Sequence, residues 1–210
     1  MKLRFALTMR VTRSTEYIEV RDSISQDWIR QIMDWNAEPF LVPNVLRNPL
    51  EYFSDLRPDL LILTGGGDVG EPQERDETER YLLDFANSRN IPVLGVCRGM
   101  QLINTHLGGS IISIDGHSGR KHSIQINHQW SQIYGNATVV NSYHTFGMLE
   151  PGLASELTAT AYDGENHVEA FQHVERPIAG IMWHPERSGA PKGDITLIEH
   201  LLGIAKAKGR

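Results

Sequence analysis

Short apolar runs alternate with amphipathic stretches along the first half of the chain. Short apolar runs are typical of buried strands, and they lie at residues 40–42, 60–63 and 92–96. A first strand is predicted at residues 3–11, where apolar residues predominate. Apolar residues at helical spacing predict helices between these runs, at residues 25–35, 50–56 and 74–90. This alternation predicts parallel βαβ units and therefore an α/β protein.

Two of these helices carry specific expectations. Ser25 is expected to be an N-cap, because a serine hydroxyl can accept a hydrogen bond from a free N–H of the first turn. On the helix at 74–90, Tyr81, Leu82 and Phe85 are expected to face the core. This helix would connect the strand at 60–63 to the strand at 92–96 and complete one parallel unit.

The pattern changes after Gly109. Short runs separated by glycines, at 110–114, 123–126 and 137–140, predict strands of an antiparallel section. Further strands are predicted at 157–161, 168–171 and 178–183. Asp194 is expected to be the N-cap of a closing helix at 195–206. We expect a single domain over residues 1–210.

Composition and charge exclude several classes of function. The chain is 40% hydrophobic and 22% charged, which is typical of a globular protein. A net charge of -6 argues against binding to nucleic acid or to an anionic membrane. No segment is long enough to span a bilayer. A single cysteine excludes an internal disulfide framework and indicates a reducing, cytoplasmic environment.

The segment at 91–109 carries the strongest chemical signal. Cys97 lies between Gly95 and Gly99, after a predicted strand and directly before a predicted helix. Small neighbours permit a strained turn, and the positive end of a helix stabilises a thiolate. Cys97 is therefore predicted to be a nucleophile, with the backbone N–H of Arg98 as an oxyanion donor. The structural alternative is a buried core cysteine.

A thiol nucleophile needs a base, and the strand at 178–183 ends in His-Pro-Glu. Side chains two residues apart on an extended chain share a face, so His184 and Glu186 are expected to be neighbours. Pro185 is expected to keep the backbone extended. Glu186 would then accept the Nδ1 proton of His184 and leave Nε2 for the sulfur of Cys97.

Three glycines follow the buried strand at 60–63. In open α/β sheets, ligands bind at the carboxyl ends of strands, so the glycines from Gly65 to Gly67 could supply a second oxyanion donor facing Cys97. A flexible turn is the alternative interpretation. The spacing does not fit a phosphate-binding P-loop, which has Lys-Ser/Thr after its last glycine.

The remaining histidines give weaker signals. His117, His122 and His128 form a loose cluster, but there is no second cysteine and the spacing fits no common zinc site. We therefore expect no metal and no cofactor. His144 ends a predicted strand beside Ser142 and is expected to reach the pocket.

Four motifs occur in a characteristic order: LTGGGD at 63–68, GVCRGMQLIN at 95–104, NSYH at 141–144 and GIMWHPE at 180–186. Together they resemble the class I glutamine amidotransferase-like superfamily, and within it the free-standing γ-glutamyl hydrolases, which include the γ-glutamyl-γ-aminobutyrate hydrolases. The resemblance covers nearly the whole chain. It implies a flavodoxin-like three-layer α/β/α domain with a mainly parallel central sheet and an added antiparallel section.

The resemblance also implies a reaction and a site. Cys97 would attack the δ-carbonyl of a γ-glutamyl group and form a thioester, and His184 would protonate the leaving amine and then activate water. The oxyanion hole would comprise Gly66 or Gly67 and the N–H of Arg98. The glutamyl group would be held by Gln101, Ser142, Tyr143 and His144.

The N-terminal region departs from the aminobutyrate hydrolases, whose first strand contains proline and glycine. Residues 10–28 resemble, more loosely, the γ-glutamyl-CDP-amidate hydrolases, which remove glutamate from a nucleotide-linked phosphoramidate. Arg10, Arg13 and Arg21 would suit a leaving group that carries phosphates. Solvated surface arginines are the alternative interpretation.

Four functions remain open at this stage. The first is a free-standing hydrolase of a small γ-glutamyl compound, acting as a monomer or homodimer. The second is a glutaminase subunit that passes ammonia to a separate synthetase partner. The third is a non-enzymatic binding or regulatory module, which the intact Cys97, His184 and Glu186 argue against. The fourth is a cysteine peptidase or amidase of the intracellular-protease type.

Overall fold

A computed structural model of the chain describes residues 2–209. The strands of this range are β1 (Leu3–Thr8), β2 (Arg10–Arg13), β3 (Val20–Ser23), β4 (Ala37–Val42), β5 (Leu60–Leu63), β6 (Val93–Val96), β7 (Ile112–Ser113), β8 (Ser118–Ile126), β9 (Ala137–Tyr143), β10 (Phe146–Gly147), β11 (Leu157–Tyr162), β12 (Val168–His173) and β13 (Ile178–Ile181). The α-helices are α1 (Gln26–Asp34), α2 (Pro49–Leu56), α3 (Gln73–Ser88), α4 (Arg98–His106), α5 (Ser131–Tyr134) and α6 (Asp194–Ala207).

Nine strands form one mixed sheet in the order β4-β1-β5-β6-β13-β12-β11-β8-β9. Neighbours are parallel from β4 to β13 and antiparallel from β13 to β9. β13 is the junction, because it is parallel to β6 and antiparallel to β12. The predicted fold class, a parallel α/β core with an added antiparallel section, is confirmed.

The hydrophobic core lies on both faces of the sheet. Alternate residues of β1 enter different clusters: Phe5 and Leu7 belong to one and Ala6 to the other. Helices α1 and α6 pack in the first cluster, and α2, α3 and α4 pack in the second. This arrangement gives three layers, with the sheet in the middle. Among residues 2–209, no helix is both long enough and apolar enough to cross a membrane.

The predicted strand at 3–11 is wrong in its second half. Thr8 is the last residue of β1 paired with β4, and beyond it the chain leaves the main sheet. Residues 10–13 form β2 instead, which pairs with β3 in a separate antiparallel hairpin. The predicted strand at 110–114 is likewise reduced to β7, which pairs with β10 outside the main sheet.

The helix predictions are partly confirmed. Ser25 is the N-cap of α1, and its hydroxyl accepts a hydrogen bond from the N–H of Asp27 at 3.2 Å. Leu82 is buried as predicted, but Tyr81 is 55% exposed and does not face the core. The buried stripe of α3 is rotated away from Tyr81 because it includes charged residues that the apolar pattern does not mark, among them Arg75 and Glu79.

Asp194 is not an N-cap, because it is the first residue of α6 and Gly193 is the cap. Its buried carboxylate accepts hydrogen bonds from the Tyr134 hydroxyl at 2.8 Å and from Trp183 Nε1 at 3.0 Å. Burial raises the pKa of Asp194 to about 7, although both hydrogen bonds act in the opposite direction. The side chain therefore ties α6 to α5 and to the segment after β13.

Candidate active site

Three strand ends meet at one edge of the sheet. β5, β6 and β13 are neighbours and parallel, so their carboxyl ends lie side by side. The glycines at 65–67 follow β5, Cys97 follows β6, and His184 lies three residues beyond β13. Three segments that are distant in sequence are thereby brought together where open α/β sheets bind their ligands.

Cys97 occupies a strained turn between β6 and α4. Its φ of 52° and ψ of -105° are uncommon for a residue with a side chain. Its N–H donates to the carbonyl of Ile181 at 2.8 Å, which joins the turn to β13. A Cβ on Gly99 would lie 2.1 Å from the Leu63 carbonyl oxygen, so only glycine lets α4 pack this closely on β5. The predicted turn is confirmed.

His184 is hydrogen-bonded to Cys97, and its Nδ1 donates to Glu186 Oε1 at 2.8 Å. Burial alone would lower the pKa of His184, but the hydrogen bonds with Cys97 and Glu186 and their negative charges raise it to about 9. The imidazole therefore holds its proton at neutral pH. A Cβ on Gly65 would lie 2.6 Å from His184 Cε1, so the glycine loop closes against the ring.

The geometry behind the His184–Glu186 contact differs from the prediction. Pro185 does not keep the chain extended, because β13 ends at Ile181 and residues 185–186 lie in a turn. The N–H of Arg187 donates to the His184 carbonyl at 3.1 Å and closes this turn. The contact therefore depends on a tight turn and not on the pleat of a strand.

Asn141 holds the candidate base in place, although the sequence pattern assigned it no individual role beyond its position in the NSYH motif. Its Oδ1 accepts the N–H of His184 at 2.8 Å, and its Nδ2 donates to the His184 carbonyl at 2.9 Å. One side-chain amide on β9 thus holds both backbone groups of the candidate base. The asparagine of the NSYH motif was the available signal, because an amide can satisfy a donor and an acceptor together.

A cavity of about 300 Å³ opens beside Cys97 and His184. Its lining includes Gly66, Gly67, Asp68, Gln101, Ser118, Tyr143, His144, Thr145, Phe146 and Arg187. The volume lies at the lower end of the range for small-molecule sites. The structure thus brings most of the predicted substrate-binding residues to the predicted nucleophile.

The predicted substrate-binding residues have distinct environments. Gln101 Nε2 donates to the Phe146 carbonyl at 2.9 Å. The Tyr143 ring packs edge-on against His184, with centroids 5.4 Å apart. The buried hydroxyl of Ser142 donates to the His117 carbonyl. This hydrogen bond engages the hydroxyl within the protein and not at the cavity.

His144 is buried, and its Nδ1 donates to the Phe146 carbonyl at 3.0 Å. Burial lowers the pKa of His144 to about 4, against the opposing charge of Glu169. The ring is therefore neutral at neutral pH. It can offer the substrate a polar surface but no charge.

Two arginines lie close to the candidate triad. Arg10 and Arg187 both line a second, smaller pocket that includes Gly66, His184 and Glu186. The guanidinium of Arg187 stacks 4.3 Å from the centroid of the Tyr143 ring. Within residues 2–209, Arg10 has no ion pair.

The other two arginines named in the sequence analysis lie on the same β2–β3 hairpin as Arg10. Arg21 is engaged there by Glu19 and Tyr17. Arg13 lines a surface pocket that includes Gly67 and Asp68. Arg187 was not predicted from the sequence, because a charge one residue past a motif resembles a solvated residue.

Histidines and carboxylates also gather at the antiparallel side, where two groups have the spacing for a metal ion: His117-Asp163-His167 and His117-His122-Glu169. The first group is accounted for by hydrogen bonds, since Asp163 Oδ2 accepts from His117 Nε2 at 2.8 Å and from His167 Nδ1 at 2.9 Å. His128 is exposed and belongs to neither group. That no metal binds stays a prediction.

Comparisons with known proteins identify a matching family and several relatives. Residues 6–186 match the family model described as Peptidase C26. A γ-glutamyl-CDP-amidate hydrolase of Campylobacter jejuni subsp. jejuni is 29% identical over 192 residues, which cover 86% of this chain and 88% of the relative. A subunit of the glutamine-hydrolysing GMP synthase of Methanobrevibacter smithii is 30% identical over 168 residues, covering 80% and 83%.

The fold has a close counterpart among solved structures. A protein from Thermoplasma acidophilum, described as a proposed subunit of GMP synthase, superimposes with a TM-score of 0.75 and covers 99% of this chain and 96% of its own. At 22% sequence identity, this likeness concerns the fold alone.

Proposed function

The chain belongs to the Peptidase C26 family, and from this premise we propose that it is a cysteine-dependent hydrolase of γ-glutamyl amide bonds that needs no cofactor. The observation that carries the proposal is the hydrogen-bonded series Cys97, His184 and Glu186 beside a cavity of about 300 Å³. The Campylobacter jejuni relative, a γ-glutamyl-CDP-amidate hydrolase, supports the choice of bond.

The reaction follows from the charges of this series. The sulfur of Cys97, as a thiolate paired with protonated His184, attacks the δ-carbonyl carbon of the γ-glutamyl group. The oxygen becomes an oxyanion, held by the N–H of Gly66 or Gly67 and the N–H of Arg98. His184 then gives its proton to the leaving nitrogen, the C–N bond breaks, and a γ-glutamyl thioester forms on Cys97.

The second half of the reaction uses the same base in its neutral form. His184 takes a proton from water, and the hydroxide attacks the thioester carbonyl. When the C–S bond breaks, glutamate leaves and Cys97 recovers its thiolate beside protonated His184. Gln101, Tyr143 and His144 line the cavity for the glutamyl group.

The amine side of the substrate is proposed to carry negative charge. Arg10 and Arg187 both lie beside His184, which delivers the proton to the leaving nitrogen. A guanidinium binds phosphate oxygens through paired, charge-assisted hydrogen bonds. A nucleotide phosphoramidate, whose phosphorus is bonded directly to that nitrogen, would place its phosphate within reach of both.

Glutamate release from a panel of γ-glutamyl compounds tests this proposal. The panel comprises glutamine, γ-glutamyl-aminobutyrate, a γ-glutamyl dipeptide and a γ-glutamyl nucleotide phosphoramidate. We expect the phosphoramidate to have the highest kcat/KM, and Arg10→Gln or Arg187→Gln to lower it about tenfold or more with little effect on glutamine. Arg30→Gln, which removes an exposed arginine of α1, is the matched control. Equal losses on all four compounds would contradict the anionic leaving group.

The raised pKa of His184 leads to a prediction about pH. Because imidazolium is the form that starts the reaction, kcat/KM of the free enzyme should hold through neutral pH and fall above about pH 9. The free energy of unfolding should also decrease at high pH. The contribution of His184 to stability is full below its unfolded pKa of about 6.5 and is lost as the pH rises through about 9. Kinetics and urea unfolding from about pH 6 to about pH 10 measure both. A kcat/KM that rises through about pH 9 would contradict this charge assignment.

A glutaminase subunit is the second candidate, and the similarity to the GMP synthase of Methanobrevibacter smithii supports it. Such a protein would hydrolyse glutamine and pass ammonia to a synthetase partner. The panel separates the two candidates. If only glutamine reacts, and slowly until a partner is added, the free-standing hydrolase is wrong.

A further inference from the structure

Four charged side chains lie buried behind the glycine loop, and no step of the proposed reaction uses them. They are Arg75, Asp76, Glu79 and Arg98, each at most 2% exposed. Arg75 Nε pairs with Glu79 Oε1 at 2.9 Å, and Arg98 pairs with both carboxylates. The group carries two positive and two negative charges. Buried charges are costly, so their presence here calls for a physical reason.

Arg75 binds the backbone of the loop as well as Glu79. Its Nη1 donates to the Gly66 carbonyl at 2.6 Å, and its Nη2 lies 2.6 Å from the Thr64 carbonyl oxygen and 3.4 Å from that of Gly65. One guanidinium thus binds three consecutive carbonyl oxygens on one side of the loop. This bond pattern needs the planar fork of arginine, which lysine lacks.

The direction of these carbonyls determines the direction of the donors. In a trans peptide unit the C=O and the N–H point in opposite directions. The carbonyl of Gly65 shares a peptide plane with the N–H of Gly66, and the carbonyl of Gly66 shares one with the N–H of Gly67. With both carbonyls turned towards Arg75, both N–H groups face away from it. On that other side Gly66 and Gly67 line the cavity beside Cys97.

Arg98 connects the loop to the turn that carries the nucleophile. Its backbone N–H is the proposed donor next to Cys97, and its side chain reaches back to the loop. Arg98 Nε donates to the Asp68 carbonyl at 3.3 Å, and its guanidinium binds Asp76 and Glu79. The two parts of the proposed oxyanion hole are therefore joined through one buried ion cluster.

We infer that Arg75 and the side chain of Arg98 are positioning residues, which hold the loop N–H groups and the Arg98 N–H at the spacing that an oxyanion requires. The inference rests on the proposed function for its substrate, but it concerns any acyl transfer to Cys97. Preorganised donors act on the transition state more than on the bound ground state. Loss of their positioning therefore lowers kcat more than it changes KM.

The test compares two reactions of Cys97 in the wild-type chain and in Arg75→Lys and Arg75→Gln. Acylation by p-nitrophenyl acetate forms an S-acetyl bond, expels p-nitrophenolate and passes through an oxyanion. Alkylation by iodoacetamide displaces iodide and forms no oxyanion. We expect both variants to lose about 10²-fold in acylation rate while the alkylation rate stays within about threefold of wild type. On the preferred γ-glutamyl compound, kcat should fall by a similar factor with KM nearly constant.

Two further variants separate positioning from fold stability. Arg75→Gln combined with Glu79→Gln keeps the buried cluster neutral, so it should fold even if Arg75→Gln does not, and it should still acylate slowly. Arg80→Gln removes a half-exposed arginine that also contacts Asp76 but does not touch the loop, and it should acylate like wild type. Acylation at the wild-type rate in the folded double variant, or equal losses of acylation and alkylation, would overturn the inference. Absence of γ-glutamyl hydrolysis in the wild-type chain would overturn only the proposed function.

Discussion

Replacing Cys97 with alanine is expected to lower glutamate release by at least about 10⁴-fold and to leave the fold intact. The expected loss is large because the thioester route requires this sulfur, and Cys97 is the only cysteine of the chain. What remains would be catalysis by the oxyanion donors and the binding cavity alone. The fold should persist because the side chain is small and the turn is held by backbone contacts with β13 and α4.

Separate measurements of rate, fold, binding and the covalent intermediate make this prediction specific. Steady-state glutamate release gives the rate, circular dichroism and thermal unfolding report the fold, and calorimetry reports binding of the intact substrate. Mass spectrometry of rapidly quenched wild-type enzyme should find a γ-glutamyl adduct on Cys97. A folded alanine variant with turnover near that of wild type would exclude covalent catalysis by this residue.

The family and the central site could be predicted because each rests on local patterns. The strand, turn and helix around Cys97 are encoded within the residues 91–109. The resemblance to the class I glutamine amidotransferase-like superfamily, drawn from four short motifs, is confirmed by the Peptidase C26 match over residues 6–186. Parallel pairing of β5 with β6 also followed from chain order, since one helix connects them.

Other features depend on contacts that no local pattern contains. The β2–β3 hairpin could not be foreseen, because its separation from β1 depends on where the neighbouring strands end. The hydrogen bonds between Asn141 and His184 join residues 43 positions apart. The buried stripe of α3 was misplaced because charged residues such as Arg75 resemble solvent-exposed positions until their partners are known.

The backbone at Pro185 was predicted to be extended and is a turn, because the same sequence pattern fits both conformations. Two residues with one between them can meet on the pleat of a strand or across a tight turn, and proline suits both. The prediction that His184 and Glu186 are neighbours is confirmed, but the extended geometry given as its reason is wrong. A turn also carries Arg187 back towards the site, which a continuing strand would not do.

Replacing His184 with alanine is expected to cost about as much as replacing Cys97, whereas Glu186→Gln should cost at least about tenfold less. Nucleophile and base act as a unit, so the Cys97→Ala/His184→Ala double variant should be no slower than either single variant. Glu186 acts through His184. A glutamine there still offers an oxygen to Nδ1, so the ring keeps its orientation and loses only the nearby charge.

Loss of the Glu186 charge in Glu186→Gln should also shift the pH profile of the reaction. Glu186 is one of the groups that raise the pKa of His184, so in Glu186→Gln the fall of kcat/KM should begin at lower pH than in wild type. The carboxylate is buried, and within residues 2–209 its Oε2 has no hydrogen-bond partner. Its replacement removes the buried carboxylate that pairs with protonated His184, so it should lower the thermal unfolding midpoint at neutral pH. Equal kinetic losses in His184→Ala and Glu186→Gln, with no displacement of the pH profile, would mean that the carboxylate acts directly on the substrate and not through the imidazole.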